Sequence, residues 1–163
     1  MTRALVRFAL VTVALAALGC KTAYDNAYNE QYQKLEQESA QQQSMDAAAH
    51  AEASKYAAVV YFATGSAVLD ADGQQQLRWF ADKLAPYPQE RFAVQGFADS
   101  TGADLTNQML SAQRAQACAN YLQSLGIAPA RMQVTAFSTS SPAASNATPA
   151  GRKNNRRVEI TVL

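Results

Sequence analysis

The sequence predicts an α/β sandwich, an α+β layer arrangement in which two helices pack on one face of a mixed four-stranded sheet in the order β-α-β-α-β-loop-β. Three observations carry this. Short runs between residues 58 and 163 alternate apolar and polar side chains with period two. Two longer segments between them repeat apolar residues at helical spacing, and Gly or Pro stands at the joins.

The elements follow in order. Val59-Val60-Tyr61-Phe62 is a β-branched and aromatic run that ends in the polar loop Ala63-Thr64-Gly65-Ser66. Leu77, Phe80, Ala81 and Leu84 fall at i, i+3, i+4 and i+7, and Pro86-Tyr87-Pro88 stops that helix. Trp79 lies off the stripe and reads as half exposed. Phe92, Val94 and Gly96 alternate with Arg91, Ala93 and Gln95 as a second strand that runs into a loop holding Asp99. A long helix is expected from about Asp104 to Leu125, with Gly126 as its C-terminal stop. Met132, Val134 and Ala136 form a third strand, residues 138 to 151 read as a loop rich in Ser, Pro, Ala and Asn, and Val158, Ile160 and Val162 form the last strand.

Before this domain lie two segments of different character. Arg3 and Arg7 precede an apolar run from Phe8 to Leu18 that is shorter than the roughly 20 residues a bilayer span needs. With the small residue Gly19 before Cys20, residues 1–19 read as a secretion signal. Ala16-Ala17-Leu18-Gly19-Cys20 resembles the lipobox of bacterial lipoproteins. That resemblance implies a lipidated Cys20 bearing a diacylglycerol and an N-acyl chain such as palmitate. It also implies outer-membrane sorting, since Lys21 and not Asp follows. Residues 20–57 then read as a polar helical tether without Gly or Pro, dominated by Gln, Glu, Ala and Ser. Fully helical, it would reach roughly 55 Å at about 1.5 Å per residue. Tyr24, Tyr28, Tyr32 and Leu35 share one face of it, either as a partner surface or as part of a plain spacer.

Composition removes several functions. With Cys20 given to lipid, Cys118 has no intramolecular partner and reads as a small core residue. His50 is the only histidine, so Ser-His-Asp, Cys-His and His-based zinc sites lack raw material, and no cofactor or metal is expected. Loss of residues 1–19 removes two cations and leaves a nearly neutral chain, which argues against a nucleic-acid partner.

The feature that speaks to function is Arg114. At roughly 100° per residue it lies about 40° from Leu110, inside a stripe formed by Leu110, Cys118, Tyr121 and Leu125 that should face the core. A buried guanidinium needs a counter-charge. Asp99, at the end of the second strand, can approach the first turns of this helix. Two arrangements stand level on charge placement: Asp99 and Arg114 pair with each other, or the two are divided by a zwitterionic ligand. In the second, Asp99 accepts from an ammonium, Arg114 donates to a carboxylate and Asn107, on the same helical face, adds an amide. A glycan hydrolase using Asp99 and Asp104 is disfavoured, because a neighbouring Arg lowers a carboxylate pKa where such catalysis needs one raised. The chain is therefore expected not to be an enzyme.

Residues 59–162 resemble the OmpA-like C-terminal domain family. The likeness rests on Val60-Tyr61-Phe62 with Ser66, Gly96-Phe97-Ala98-Asp99 with Gly102, Asn107, Leu110-Ser111, Arg114-Ala115, Tyr121-Leu122, Gly151-Arg152 and Asn155-Arg156-Arg157-Val158-Glu159. With the lipobox and the tether, the whole chain resembles the peptidoglycan-associated lipoproteins, called Pal. The resemblance implies non-covalent binding of peptidoglycan through diaminopimelate, with Asp99 on its ammonium and Arg114 on its carboxylate. Phe62, Thr101, Asn107, Asn155 and Arg156 are implied as supporting contacts, although Arg152, Lys153, Arg156 and Arg157 could instead form a solvated cationic edge. The chain departs from the family pattern at Ala63, at Phe97-Ala98 in place of His-Thr, and at Ala136-Phe137-Ser138-Thr139. The expected partners are peptidoglycan and the inner leaflet of the outer membrane, with the protein facing the periplasm. The alternative is a protein-interaction module with a periplasmic partner in a Tol-Pal-like envelope assembly.

Overall fold

The computed structural model describes residues 21–163, and side chains from Asp25 onward. The signal segment 1–19, Cys20 and the Tyr24 side chain lie outside the described residues. The chain divides into two units between Ala48 and Ala49. A helix, α1 (Lys21–Ala53), makes up the first unit from Lys21 to Ala48, and its last turn belongs to the second. Its Gly- and Pro-free composition favours helix, and Tyr28, Tyr32 and Leu35 are exposed on it, with the Tyr28 and Tyr32 rings stacked at 6.4 Å between centroids.

The second unit begins earlier than the strand pattern suggests, at Ala49. The reason lies in the last turn of α1: Ala53 is fully buried in the core, and His50 Nδ1 lies 2.8 Å from Glu90 Oε2. Then follow β1 (Ala57–Tyr61), α2 (Ala71–Leu84), β2 (Phe92–Phe97), α3 (Asp104–Ser124), a 3-10 turn at Pro129–Arg131, β3 (Met132–Ser138), α4 (Pro149–Asn155) and β4 (Arg157–Val162). The sheet order is β1-β4-β2-β3, with β4 antiparallel to both neighbours and β2 parallel to β3. This is the expected mixed four-stranded sheet, covered on one face by α2 and α3. Leu77, Phe80, Leu84, Phe92, Val94, Cys118, Leu122, Val158 and Ile160 form the core between the layers, and the Phe80 and Phe92 rings meet edge to face.

Four details depart from the pattern reading. Part of the stretch read as a loop is helix α4, begun by Thr148, whose hydroxyl accepts from the Gly151 N–H, with Pro149 in its first turn. Strand β2 does not alternate cleanly, because it is central and Ala93 and Phe97 are buried as well. Strand β3 is an edge, which leaves Val134 40% exposed. The buried arc of α3 is rotated from the predicted stripe: Ser111, Ala115, Cys118, Ala119 and Leu122 are buried, while Leu125 is exposed.

That rotation has a physical cause at Gly96. A Cβ there would sit 2.0 Å from the Ser111 carbonyl oxygen and 3.1 Å from the Ala115 Cβ. Small residues on both sides let α3 settle directly on β2. Gly126, at φ +93, then ends the helix in the left-handed conformation expected of it.

Candidate functional site

The close seating of α3 on β2 carries Arg114 inside the domain, where it is 0% exposed. Its Nε donates to the Ser66 carbonyl at 2.8 Å, Nη1 to that of Phe97 at 3.1 Å and Nη2 to that of Ala63 at 3.2 Å. The Phe62 ring lies 5.5 Å from its guanidinium carbon. The loop after β1 and the end of β2 thus supply three carbonyl dipoles and an aromatic face. Among the described residues no carboxylate lies within ion-pair distance of Arg114.

Asp99 is 5% exposed and pairs elsewhere. Its Oδ2 accepts from Arg156 Nη1 at 2.9 Å and its Oδ1 from the Thr101 backbone N–H at 2.9 Å. Arg156 also donates through Nε to the Phe62 carbonyl at 3.0 Å. Phe62 therefore touches both arginines, one with its ring and one with its backbone. Of the two level arrangements, the closed Asp99–Arg114 pair is absent.

The electrostatics reflect this. Burial raises the Asp99 pKa, but hydrogen bonds from Arg156 and Thr101, with the Arg156 charge, more than offset it and hold the carboxyl below its ordinary value. For Arg114, burial and then repulsion from Arg156 lower the pKa to about 10, and the Asp99 charge offsets only part of this. Burial is the main cause, so the guanidinium holds its proton less firmly than in water.

Asn107 lies on the first turn of α3. It is 3% exposed, and among the described residues its side-chain amide has no hydrogen-bond partner. Phe62, Asp99, Thr101, Arg114 and Arg156 are linked by direct contacts, and Asn107 lies two turns before Arg114 on the buried face of α3.

Asn155 is placed differently. It is fully buried, its Oδ1 accepts from the Ala144 N–H at 2.9 Å, and its amide donates to Ala144 O and Asn146 Oδ1, both at 2.8 Å. Asn146 Oδ1 also accepts from the Ser100 N–H at 3.2 Å. Asn155 thus fastens the loop before α4, and through Asn146 the Asp99 loop. Gly151 permits this, since a Cβ there would lie 1.9 Å from the Ser145 carbonyl oxygen.

Sequence reasoning missed three contributors. Asn146 bridges the two loops, and no periodicity marks it. Ser111 accepts from the Ser138 N–H at 3.2 Å, beside the irregular end of β3 where Ser138 takes φ 50°. Arg157, for which a solvated cationic edge is the alternative reading, is buried. Its guanidinium carbon lies 4.0 Å from the centre of the Phe97 ring, which stacks in turn on Phe137, and its Nε donates to Glu159 at 2.6 Å. Among the described residues no group of three or more His, Cys, Asp or Glu could hold a metal ion.

An α/β sandwich in which an acid and two arginines gather where β1 and β2 end defines a domain with a charged, largely buried polar cluster at one edge of its sheet. The chain belongs to the OmpA family, whose model matches residues 61–156. It is 43% identical over 98 residues to the peptidoglycan-binding protein ArfA of Mycobacterium tuberculosis, a match covering 60% of this chain and 30% of ArfA. It is 39% identical over 103 residues to the probable lipoprotein YiaD of Escherichia coli, covering 63% of this chain and 47% of YiaD. The chain thus spans under half the length of either relative. The crystal structure of the peptidoglycan-associated lipoprotein from Burkholderia pseudomallei superposes with a TM-score of 0.62 at 28% identity, covering 65% of this chain and 90% of that one.

Proposed function

We propose that this protein binds peptidoglycan non-covalently and without catalysis, tethering the outer membrane to the cell wall from the periplasmic side. The observation that carries the reading is Arg114: fully buried, held by three carbonyls, and lacking a carboxylate among the described residues. A guanidinium has five N–H donors, so two remain, one on each terminal nitrogen, for a ligand carboxylate. Asp99 uses two of roughly four lone-pair sites and keeps capacity for a ligand ammonium. The ligand in this reading is the diaminopimelate of the stem peptide, whose free head group carries both charges. Asn107 offers its unpartnered amide, Thr101 and Arg156 fix the Asp99 carboxylate, Phe62 seats the guanidinium, and Asn155 holds the loops in register.

Arg114 is covered by the turn from Ala63 to Ser66, whose first three residues are exposed and whose Gly65 takes φ +66. The names of two relatives support the wall as target, one a peptidoglycan-binding protein and one a peptidoglycan-associated lipoprotein. Cys20, with its lipobox-like surroundings, supplies the proposed lipid anchor. Confinement at the membrane and the many identical sites of the wall raise the effective concentration, so single-site affinity need not be high.

The test is co-sedimentation of the purified protein with diaminopimelate-type sacculi. The wild type should pellet and release no soluble muropeptides, while Asp99→Ala and Arg114→Ala should remain in the supernatant; undiminished pelleting of both variants would remove the site. In cells, Cys20→Ser should move the protein from the membrane to the soluble fraction, and continued membrane association would remove the anchor. The exposed Tyr28, Tyr32 and Leu35 favour the second reading, a module for a periplasmic protein partner.

A further inference from the structure

We propose that the free edge of β1 is a second binding surface, which takes an extended polypeptide with cationic side chains at alternate positions as an added strand. β1 lies at the end of the sheet and pairs only with β4. The Phe62 N–H donates to the Arg156 carbonyl at 2.9 Å, which fixes the phase of the antiparallel ladder. Ala58 and Val60 therefore direct their backbone groups toward β4, and Ala57, Val59 and Tyr61 direct theirs outward. Among the described residues those outward groups meet no backbone partner.

Exposed edges are commonly blunted by Lys, Pro or a bulge. β1 reads Ala57-Ala58-Val59-Val60-Tyr61 and has none of these, and its register with β4 is unbroken. The opposite edge, β3, differs: its pairing with β2 is irregular near Gly96, and it ends at Ser138 with φ 50°. A flat partner strand fits β1 and not β3.

The chemistry of the occupant follows from what flanks the edge. A groove of about 270 Å³ is lined by Val59, Tyr61, Asp70, Asp72, Gln76 and Lys153. Val59 and Tyr61 are 37% and 47% exposed, and their side chains lie on the sheet face opposite the helices. Asp70 and Asp72 are exposed at the start of α2; Asp70 Oδ1 caps the Gly73 N–H at 2.8 Å, and its second oxygen is free of any such bond. An added strand presents successive side chains to opposite faces. Lys or Arg at every second position would meet the Asp70 and Asp72 carboxylates, while apolar residues between them would lie beside Val59 and Tyr61. Acids outnumber cations two to one in this groove even with Lys153 counted, so a second copy of the edge would set four carboxylates against two ammonium groups, an excess of like charge that disfavours it.

The experiment uses the full chain, isotope-labelled, with two blocked heptapeptides, one alternating lysine and valine and the other glutamate and valine. The lysine peptide should slow amide hydrogen exchange at Ala57, Val59 and Tyr61 at least 10-fold. The glutamate peptide should leave exchange unchanged. Val59→Pro removes an outward N–H at a position an edge strand tolerates, and it should weaken binding about 10-fold or more. The double variant Asp70→Asn with Asp72→Asn keeps the helix cap and should weaken the lysine peptide about 5-fold, which preserves the test if the proline variant misfolds. Equal binding of the two peptides overturns the proposal, as does unaltered affinity in the asparagine variant. Protection of the same three amides in the absence of peptide, with dimerisation of the chain, also overturns it in favour of a second copy.

Discussion

Two buried arginines in this domain are housed in opposite ways. Arg157 has its counter-charge built in, since Glu159 accepts from it at 2.6 Å, Ser141 O accepts from Nη2 at 3.1 Å and Phe97 covers its face, although its Nη1 is buried without a hydrogen-bond partner among the described residues. Arg114 has carbonyl dipoles and the Phe62 ring but no carboxylate partner among the described residues. A buried charge with an internal carboxylate is scaffold, since its charge is offset whether or not a ligand is present. One without such a partner is left to be completed from outside.

Substitutions can break the comparison at several levels. The largest effect is expected at Gly96, on which the placement of Arg114 depends. Gly96→Ala drives a Cβ into the Ser111 carbonyl and should cost about 3 kcal/mol of stability, read as a lower urea midpoint, with loss of sacculus binding because α3 is lifted. Arg114→Met should separate stability from function. Three carbonyls lose donors, at roughly 1–3 kcal/mol each where they stay dry, yet an under-compensated charge leaves the interior, so the folding free energy should shift by no more than about 2 kcal/mol. Binding should fall about 100-fold, the scale for removing one partner of a desolvated charge pair.

Arg157→Met should invert that pattern. It removes an ion pair and a ring contact and should cost about 1–3 kcal/mol of stability, with sacculus affinity changed less than about 3-fold by the same co-sedimentation assay. The smallest effect concerns pH. Because the folded-state pKa of Asp99 lies below its unfolded value, its contribution is complete above the ordinary carboxylate pKa of about 3.9. It is lost as pH falls through the lower folded value. Asp99→Asn should therefore flatten the fall in urea midpoint below about pH 4, while leaving the slope at neutral pH unchanged.

The same two arginines show how much of the structure is legible in the residues alone. The sheet and both covering helices were legible because apolar periodicity reports burial directly. Arg114 was legible because a charge interrupts such a pattern. Its surroundings were less so: the buried arc of α3 is centred on Ser111 and Ala115, small residues with little hydropathy weight, and Gly96 shows why they must be small. The partner of Asp99 proved to be Arg156, 57 residues away, and a fold-level contact of that kind leaves no local spacing to find. Helix α4 was hidden in a Ser- and Asn-rich stretch, although Thr148-Pro149 is a helix-start signal. Phe97 and Phe137, both departures from the family pattern, stack on each other and, through Phe97, support Arg157.

The most direct measurement is the affinity of three proteins, wild type, Arg114→Met and Arg157→Met, for one soluble muropeptide carrying diaminopimelate, measured by titration calorimetry at neutral pH. The account predicts binding by the wild type and Arg157→Met within about 3-fold of each other, and a loss of about 100-fold in Arg114→Met. Equal affinities for wild type and Arg114→Met, or a loss confined to Arg157→Met, would contradict the claim that the arginine without an internal counter-charge is the one the ligand completes.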